Sequence, residues 1–371
     1  MTVDQIALNH FRNYKSASLI PSKGTTVLYG QNGVGKTNIV EAVHLCALGR
    51  SHRLQKDSDL VQRGEDSAKV TVKATRRDGS HEVSIKLCPK EIKKKQININ
   101  NKPPKRLGEM MGHVTCVIFS PEDLALIKEG PSFRRRFMDM LLCQQSASYF
   151  YELQKYNAAL AQRNAILKTL FGNENHKSAD MLPIWDEQLQ QAGEVIIKKR
   201  LKFISDLEPL VHENYDYLSG SSRESLKIRY RACVEDKKDI GQALAEGLEK
   251  SRREDIKRGT SNFGPHRDDI IMHLSGRDMR SFASQGQIRT AALALKLSEI
   301  TLLTEQHDEA PVLLLDDVMS ELDMQRRGLL LKFISGIQTI ITCTDESDFP
   351  KEKTDMRVHV ILDEEGNAVL G

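Results

Sequence analysis

The stretch Gly30-Gln31-Asn32-Gly33-Val34-Gly35-Lys36-Thr37 sets two glycines five residues apart and follows the second with Lys and Thr. A loop of this kind has one structural context, a short apolar strand in front and a helix behind. Both are present: Thr26-Val27-Leu28-Tyr29 favours extended chain, and Asn38 to Leu48 carries Ile39, Val43 and Cys46 or Ala47 at helical spacing. Glycines let the backbone turn its N–H groups inward, and the helix N-terminus adds its positive end, so the loop is built to cradle phosphate oxygens. The expected nucleotide contacts are Gly30, Gln31, Asn32, Gly33, Val34, Gly35, Lys36, Thr37 and Asn38, with Lys36 reaching the β and γ phosphates of ATP and the Thr37 hydroxyl ligating Mg²⁺.

The remaining length needs its own explanation. A chain of 371 residues with 39% apolar content can bury a substantial core and suggests two or three structural units. Lys and Arg outnumber Asp and Glu by 54 − 51 = 3, so any basic surface must be local. The six cysteines, Cys46, Cys88, Cys116, Cys143, Cys233 and Cys343, are scattered without zinc or redox spacing and are expected as buried thiols. The first residues lack a charged and apolar leader, and no stretch approaches the ~18 apolar residues of a membrane span; a cytoplasmic protein is expected.

Upstream of the loop, Gln5-Ile6-Ala7-Leu8 and Ser18-Leu19-Ile20 predict a strand pair, with Asn9 to Tyr14 between them. Arg12, in that connection, is a candidate nucleotide contact. Lys69 to Ala74 and Glu82 to Leu87 predict a hairpin around Arg77-Asp78-Gly79-Ser80, and Gln96 to Asn100 a third strand. That strand is bracketed by Lys93, Lys94 and Lys95 and by Lys102, Lys105 and Arg106, which suits either a DNA backbone or a lysine-guarded edge. Val114 to Phe119 has the continuous apolar run of a strand buried on both faces. From Pro121 about a hundred residues are helical in pattern, with Ser132 as a cap, Arg134, Arg135 and Arg136 as further DNA candidates, and a second basic run at Lys198-Lys199-Arg200 with Lys202 that suits a solvated face or a binding surface. Folded back on itself, such an insertion reaches at most about 75 Å at 1.5 Å per residue, which excludes a long coiled-coil rod.

Chemistry returns late in the chain. Val312-Leu313-Leu314-Leu315 is an apolar strand ending in Asp316 and Asp317, where Asp316 can hold the Mg²⁺ shell and Asp317 can orient the attacking water. About 280 residues separate these carboxylates from Lys36, too many for a compact kinase or small GTPase. Ser284-Gln285-Gly286-Gln287 opens a helix whose inner side carries Ile288, Ala292, Leu295 and Leu302. Its place between the two nucleotide elements resembles the signature motif of ABC-type ATPases. Asp323 falls at the position of the D-loop aspartate, and Thr344 stands where most such ATPases place a histidine.

Taken together, Phe11-Arg12-Asn13-Tyr14, the loop with Glu41-Ala42, Gly49-Arg50-Ser51-His52-Arg53, Gly264-Pro265-His266-Arg267-Asp268-Asp269, Ser284 to Gln287 and Leu315 to Asp323 resemble the motifs of the bacterial RecF family. The resemblance implies an α/β fold: an ABC-type P-loop ATPase head with an antiparallel β-subdomain and an inserted compact helical lobe, SMC-like without the long coiled coil. The expected division is 1–119 for the first part of the head, 120–222 for the helical lobe and 223–371 for the second part. It further implies ATP-dependent homodimerisation, with Ser284, Gly286 and Gln287 of one copy completing the ATP site of the other in trans, and Asp317, Lys36, Ser284 and Asp323 serving catalysis. DNA binding at gaps and single-strand/double-strand junctions, work with RecO and RecR to load RecA, and roles in replication and the SOS response are implied as well. Rival readings are a metabolic ATP-dependent enzyme, a transporter ATPase subunit and a structural SMC-like chromosome factor.

Overall fold

The computed structural model describes residues 1–53, 56–172, 177–220, 224–236 and 238–371. They form two compact units, residues 1–124 with 292–371, and residues 125–291.

In the first unit the chain runs β1 (Thr2–Phe11), β2 (Tyr14–Leu19), β3 (Thr25–Tyr29), α1 (Lys36–Leu48), β4 (Ala68–Arg76), β5 (Gly79–Leu87), β6 (Lys95–Ile99) and β7 (Cys116–Phe119). The second unit follows with α2 (Ala125–Lys128), α3 (Pro131–Gln145), α4 (Ala147–Leu170), α5 (Leu182–Ser219), β8 (Leu226–Arg231), α6 (Ile240–Arg258), β9 (Asp269–Leu274), β10 (Arg277–Asp278) and α7 (Met279–Phe282). The helix α8 (Gln285–His307) begins in the second unit and continues in the first, which closes with β11 (Val312–Asp316), α9 (Met324–Phe333), β12 (Thr339–Cys343), β13 (Met356–Leu362) and β14 (Ala368–Leu370).

Two sheets build the first unit. Alternating apolar residues give the antiparallel sheet β2-β1-β4-β5-β6 one buried face, while the continuous apolar runs of β7, β11 and β12 lie inside the sheet β14-β13-β3-β12-β11-β7. In that sheet β3, β7, β11, β12 and β13 are mutually parallel, so their carboxyl ends share one edge. Helix α1 touches strands of both sheets and is buried on almost every side. An amphipathic stripe would not suffice there, and Val40, Ala42, Leu45 and Ala47 are as buried as Ile39 and Val43.

The second unit is helical with a three-stranded sheet, β10-β9-β8, against which α3 and α5 pack. It extends past the expected boundary at residue 222, because β8 pairs with β9 and packs on α5 rather than returning to the head. Helix α3 is capped by Gly130, with Pro131 in its first turn, so Ser132 lies inside the helix. All six cysteines are free, and all but Cys233 are buried. Among the described residues no helix is long and apolar enough to cross a membrane.

Candidate nucleotide site

The loop from Gly30 to Gly35 leaves the carboxyl end of β3 and enters α1 at Lys36. Its path requires glycine at two points. A Cβ on Gly30, at φ 148°, would lie 2.2 Å from the Val360 carbonyl oxygen, and one on Gly35, at φ 115°, 2.7 Å from Asn13 Oδ1. The loop is braced from the β1–β2 turn: Asn13 Nδ2 donates to Val34 O at 3.0 Å, Asn38 Nδ2 donates to Asn13 Oδ1 at 2.8 Å, and the Tyr14 hydroxyl donates to Gly35 O at 3.2 Å. The Lys36 ammonium donates to Gly30 O at 2.6 Å and Gln31 O at 2.8 Å, and burial lowers its pKa.

Strand β12 separates β3 from β11, and at its end Thr342 pairs in register with Asp316 on one side and Leu28 on the other. The Thr37 hydroxyl donates to Asp316 Oδ1 at 2.7 Å, so the loop helix and the β11 carboxylate meet across β12. Thr342 Oγ1 donates to the same oxygen at 2.8 Å and accepts from the Asp317 N–H at 3.0 Å. Asp317 has a left-handed backbone, φ 55°, and its pKa is raised by burial and by the Asp316 charge. Thr344 holds the loop from the same strand end: its carbonyl accepts from Gly30 N–H at 3.3 Å and its hydroxyl donates to Asn32 Oδ1 at 3.3 Å.

Arg12 stands beside this loop in a role its sequence position did not disclose. It pairs bidentately with buried Glu41, Nε to Oε2 at 2.8 Å and Nη2 to Oε1 at 3.0 Å, and Ser51 also donates to Glu41. With Asn13, Gly33, Asn38, Arg53 and Arg63 it lines a cleft of about 590 Å³ beside the loop, a size suited to a small ligand. Asp59 and Glu122 line it too, and Arg12 is already paired with Glu41, so Arg53 and Arg63 are the cations it offers an anionic ligand.

The other expected elements form as local structures. Ser284 and Gln287 make a reciprocal cap on α8, with Ser284 N–H donating to Gln287 Oε1 at 2.7 Å and Gln287 N–H to Ser284 Oγ at 3.3 Å. Gln287 Nε2 also donates to Glu224 at 2.7 Å, which leaves Ser284 exposed and Gln287 occupied in holding the turn. Asp323 caps α9 through Arg326 N–H at 2.9 Å and pairs with the Arg326 guanidinium.

The DNA candidates divide. Arg134 is buried and bidentate to Asp269, at 2.7 and 3.0 Å, so it is withdrawn from any DNA surface. Arg135 donates to the Asp268 carbonyl at 2.8 Å, and Arg200 of the second basic run is buried against Asp139 at 2.8 Å. These arginines meet the Gly-Pro-His-Arg-Asp-Asp motif, whose Asp268 accepts from Cys233 N–H at 2.6 Å and from the Tyr230 hydroxyl. Asp268 and Asp269 of the motif thus belong to the buried polar network of the second unit. Lys95 faces the α1 side, donating to Gly49 O and pairing with Asp57, each at 2.6 Å. Lys93, Lys94, Lys102, Lys105 and Arg106 remain at the surface of the first unit.

Residues 2–367 match the RecF/RecN/SMC N terminal domain family. A DNA replication and repair protein RecF of Acetivibrio thermocellus is 44% identical, covering 94% of this chain and 95% of its own length. That of Lachnoclostridium phytofermentans is 42% identical over 98% of both chains. The solved structure of the recombination mediator protein RecF with ATP, in the RecFOR pathway, superposes with a TM-score of 0.89 at 37% identity, covering 100% of this chain and 97% of the other. The SMC head domain of Pyrococcus furiosus, 16% identical with a TM-score of 0.57 over 100% of this chain and 95% of its own, shares the ABC-type ATPase head fold. Motifs, architecture and relatives agree, and the chain belongs to the RecF family of DNA replication and repair proteins.

Proposed function

We propose that this chain is an ATP-dependent DNA-binding protein of recombinational repair, in which bound ATP joins two copies on DNA and slow hydrolysis releases them. The observation that carries the reading is the convergence of Thr37 and Thr342 on Asp316 beside a phosphate loop whose lysine donates to the loop carbonyls of Gly30 and Gln31. Those carbonyl contacts are of a kind that phosphate oxygens can replace. Related structures named for RecF with ATP and with ATPrS support ATP as the nucleotide.

The residues fit the nucleotide and its metal. Inward backbone N–H groups and the amino end of α1 bind the phosphates, and Lys36 orients them. Thr37 and Asp316 are the residues that would hold Mg²⁺, which when bound neutralises charge on the β and γ phosphates. Asp317 accepts a hydrogen bond from the attacking water and takes its proton. Burial and the Asp316 charge raise its pKa and so strengthen it as a base, while its side chain, one methylene shorter than the usual Glu, sets the carboxylate back and slows hydrolysis. Exposed Ser284, at the amino end of α8, completes the partner's site in trans, and Asp323 lies beside that contact. ATP then acts as an adhesive, because it binds the paired state better than the single chain. Action at gaps and single-strand/double-strand junctions, with RecO and RecR placing RecA, and roles in replication and SOS induction follow from the family likeness.

Sedimentation velocity with and without ATP, repeated with a gapped duplex, tests the reading. Wild type should become a dimer only with ATP and bind DNA as that dimer, and Lys36→Met should do neither. A Lys36→Met protein that still dimerises with ATP would end the adhesive mechanism.

A further inference from the structure

One face of the antiparallel sheet packs on α1 and the other is turned to solvent. Alternation decides which side chains look outward, and the register groups them into rows. Asn9, Lys69, Lys86 and Gln96 form one row across β1, β4, β5 and β6, followed by Ala7, Thr71, Ser84 and Asn98 in the next, where Ser84 is buried and the other three are half-buried. Lys69 and Lys86 are exposed and directly opposite each other. Like charges so placed destabilise a sheet, and nothing in the hairpin itself requires the arrangement.

The β5–β6 loop adds to the same end. It is closed by Cys88 N–H donating to Lys94 O at 2.8 Å and carries Lys93 and Lys94, both exposed. Of the neighbouring acids, Asp66 is paired with Lys90 and Asp57 with Lys95, each at 2.6 Å, while Glu91 accepts from the neutral Gln96 amide at 3.3 Å and Glu65 lies 3.6 Å from the His10 ring. Among the described residues Lys69, Lys86, Lys93 and Lys94 form no ion pair. At the other end of the face Lys73 is paired with Glu82 at 3.9 Å, so the unbalanced charge is confined to one end.

We propose that this end of the sheet binds the phosphate backbone of DNA without regard to sequence. Four exposed ammonium groups without an ion pair supply the electrostatic part of such an interaction, and the flanking Asn9, Thr71 and Gln96 side chains supply hydrogen bonds to phosphate and sugar. The assignment rests on the DNA-binding function proposed above and places that function on a surface. Lys69 and Lys86 become members of the site through strand register alone, since 17 positions separate them in the chain.

The test is fluorescence anisotropy with a labelled gapped duplex and ATP, over a range of salt concentrations. The variant Lys69→Gln/Lys86→Gln/Lys93→Gln/Lys94→Gln should bind at least about tenfold more weakly on two unrelated sequences, with the slope of log K against log salt reduced by about 0.9 for each phosphate no longer neutralised. The two pairwise variants should each give part of the effect, Lys73→Gln should change neither quantity, and ATP affinity should be retained throughout. Wild type that binds no DNA with ATP would overturn the proposed function and this surface with it. Wild type that binds, beside a quadruple variant of unchanged affinity and slope, would overturn the surface alone, whether or not the variant loses affinity for anionic vesicles.

Discussion

Thr342 donates its hydroxyl to Asp316 at 2.8 Å and accepts the backbone N–H of Asp317 at 3.0 Å, so one buried side chain sets both carboxylates at the end of β11. Thr342 lies on β12, the strand that also carries Thr344 to the phosphate loop. The loop and the carboxylates are therefore aligned through a shared neighbour.

Replacing that hydroxyl isolates its contribution. Thr342→Val keeps the shape but leaves the Asp317 N–H without its acceptor, at a cost of about 1–3 kcal/mol. Steady-state ATP turnover should fall by about 5- to 100-fold, and the Mg²⁺ concentration for half-maximal activity should rise. Thr342→Ser should restore both. A valine variant with unchanged turnover and Mg²⁺ dependence would show that the alignment is incidental.

Asp317→Glu extends the carboxylate by one methylene toward the position occupied in most ABC ATPases. Turnover measured by phosphate release should increase, with the ATP-dependent dimer correspondingly shorter-lived. Equal turnover in the two proteins would refute the account of the short carboxylate.

Ser284→Arg places a bulky cation at an exposed helix start. If Ser284 serves the partner's nucleotide as proposed, the variant should bind ATP with wild-type affinity while sedimentation shows no ATP-induced dimer. Full ATPase activity in this variant would exclude a role in trans.

Burial pushes the His266 imidazole down to about 4. Its neutral form suits both partners, accepting from the Tyr156 hydroxyl at 2.7 Å through Nδ1 and donating through Nε2 to Ser261 O at 3.2 Å. The folded pKa lies below the unfolded value of about 6.5, so its stabilisation is complete above pH ~6.5 and disappears as pH falls toward ~4, amounting to about 3 kcal/mol. Urea unfolding followed by Trp185, the single tryptophan and part of α5, should show declining stability across that window, with a smaller decline in His266→Gln.

The nucleotide elements were legible because each is local. Glycine placement and an apolar strand ending in two aspartates carry the Gly30–Thr37 loop and the Asp316–Asp317 pair almost unaided. Pairings across the chain were not. Arg134 belongs to a basic triplet on a helix whose solvent side looked available, and only the arrival of Asp269 from β9 makes it a buried ion pair. Thr342 carried a weak signal, a hydroxyl inside an otherwise apolar buried strand, but its two partners are known only when β11 lies beside β12. For Lys69 and Lys86, composition recorded ordinary hairpin lysines, and register made them opposed charges.

Strand β3 has β12 and β13 as its sheet neighbours, and both lie about 300 residues further along the chain, from Thr339 onward. During synthesis the phosphate loop leaves the ribosome before the second unit yet has no strand on either side until residues 339–362 have followed. The second unit, contiguous from 125 to 291, has all its strand pairings available much earlier. Seating of the phosphate loop consequently follows synthesis of the second unit, and a nascent chain stopped before residue 339 would hold a complete helical lobe and a loop strand without either of its neighbours.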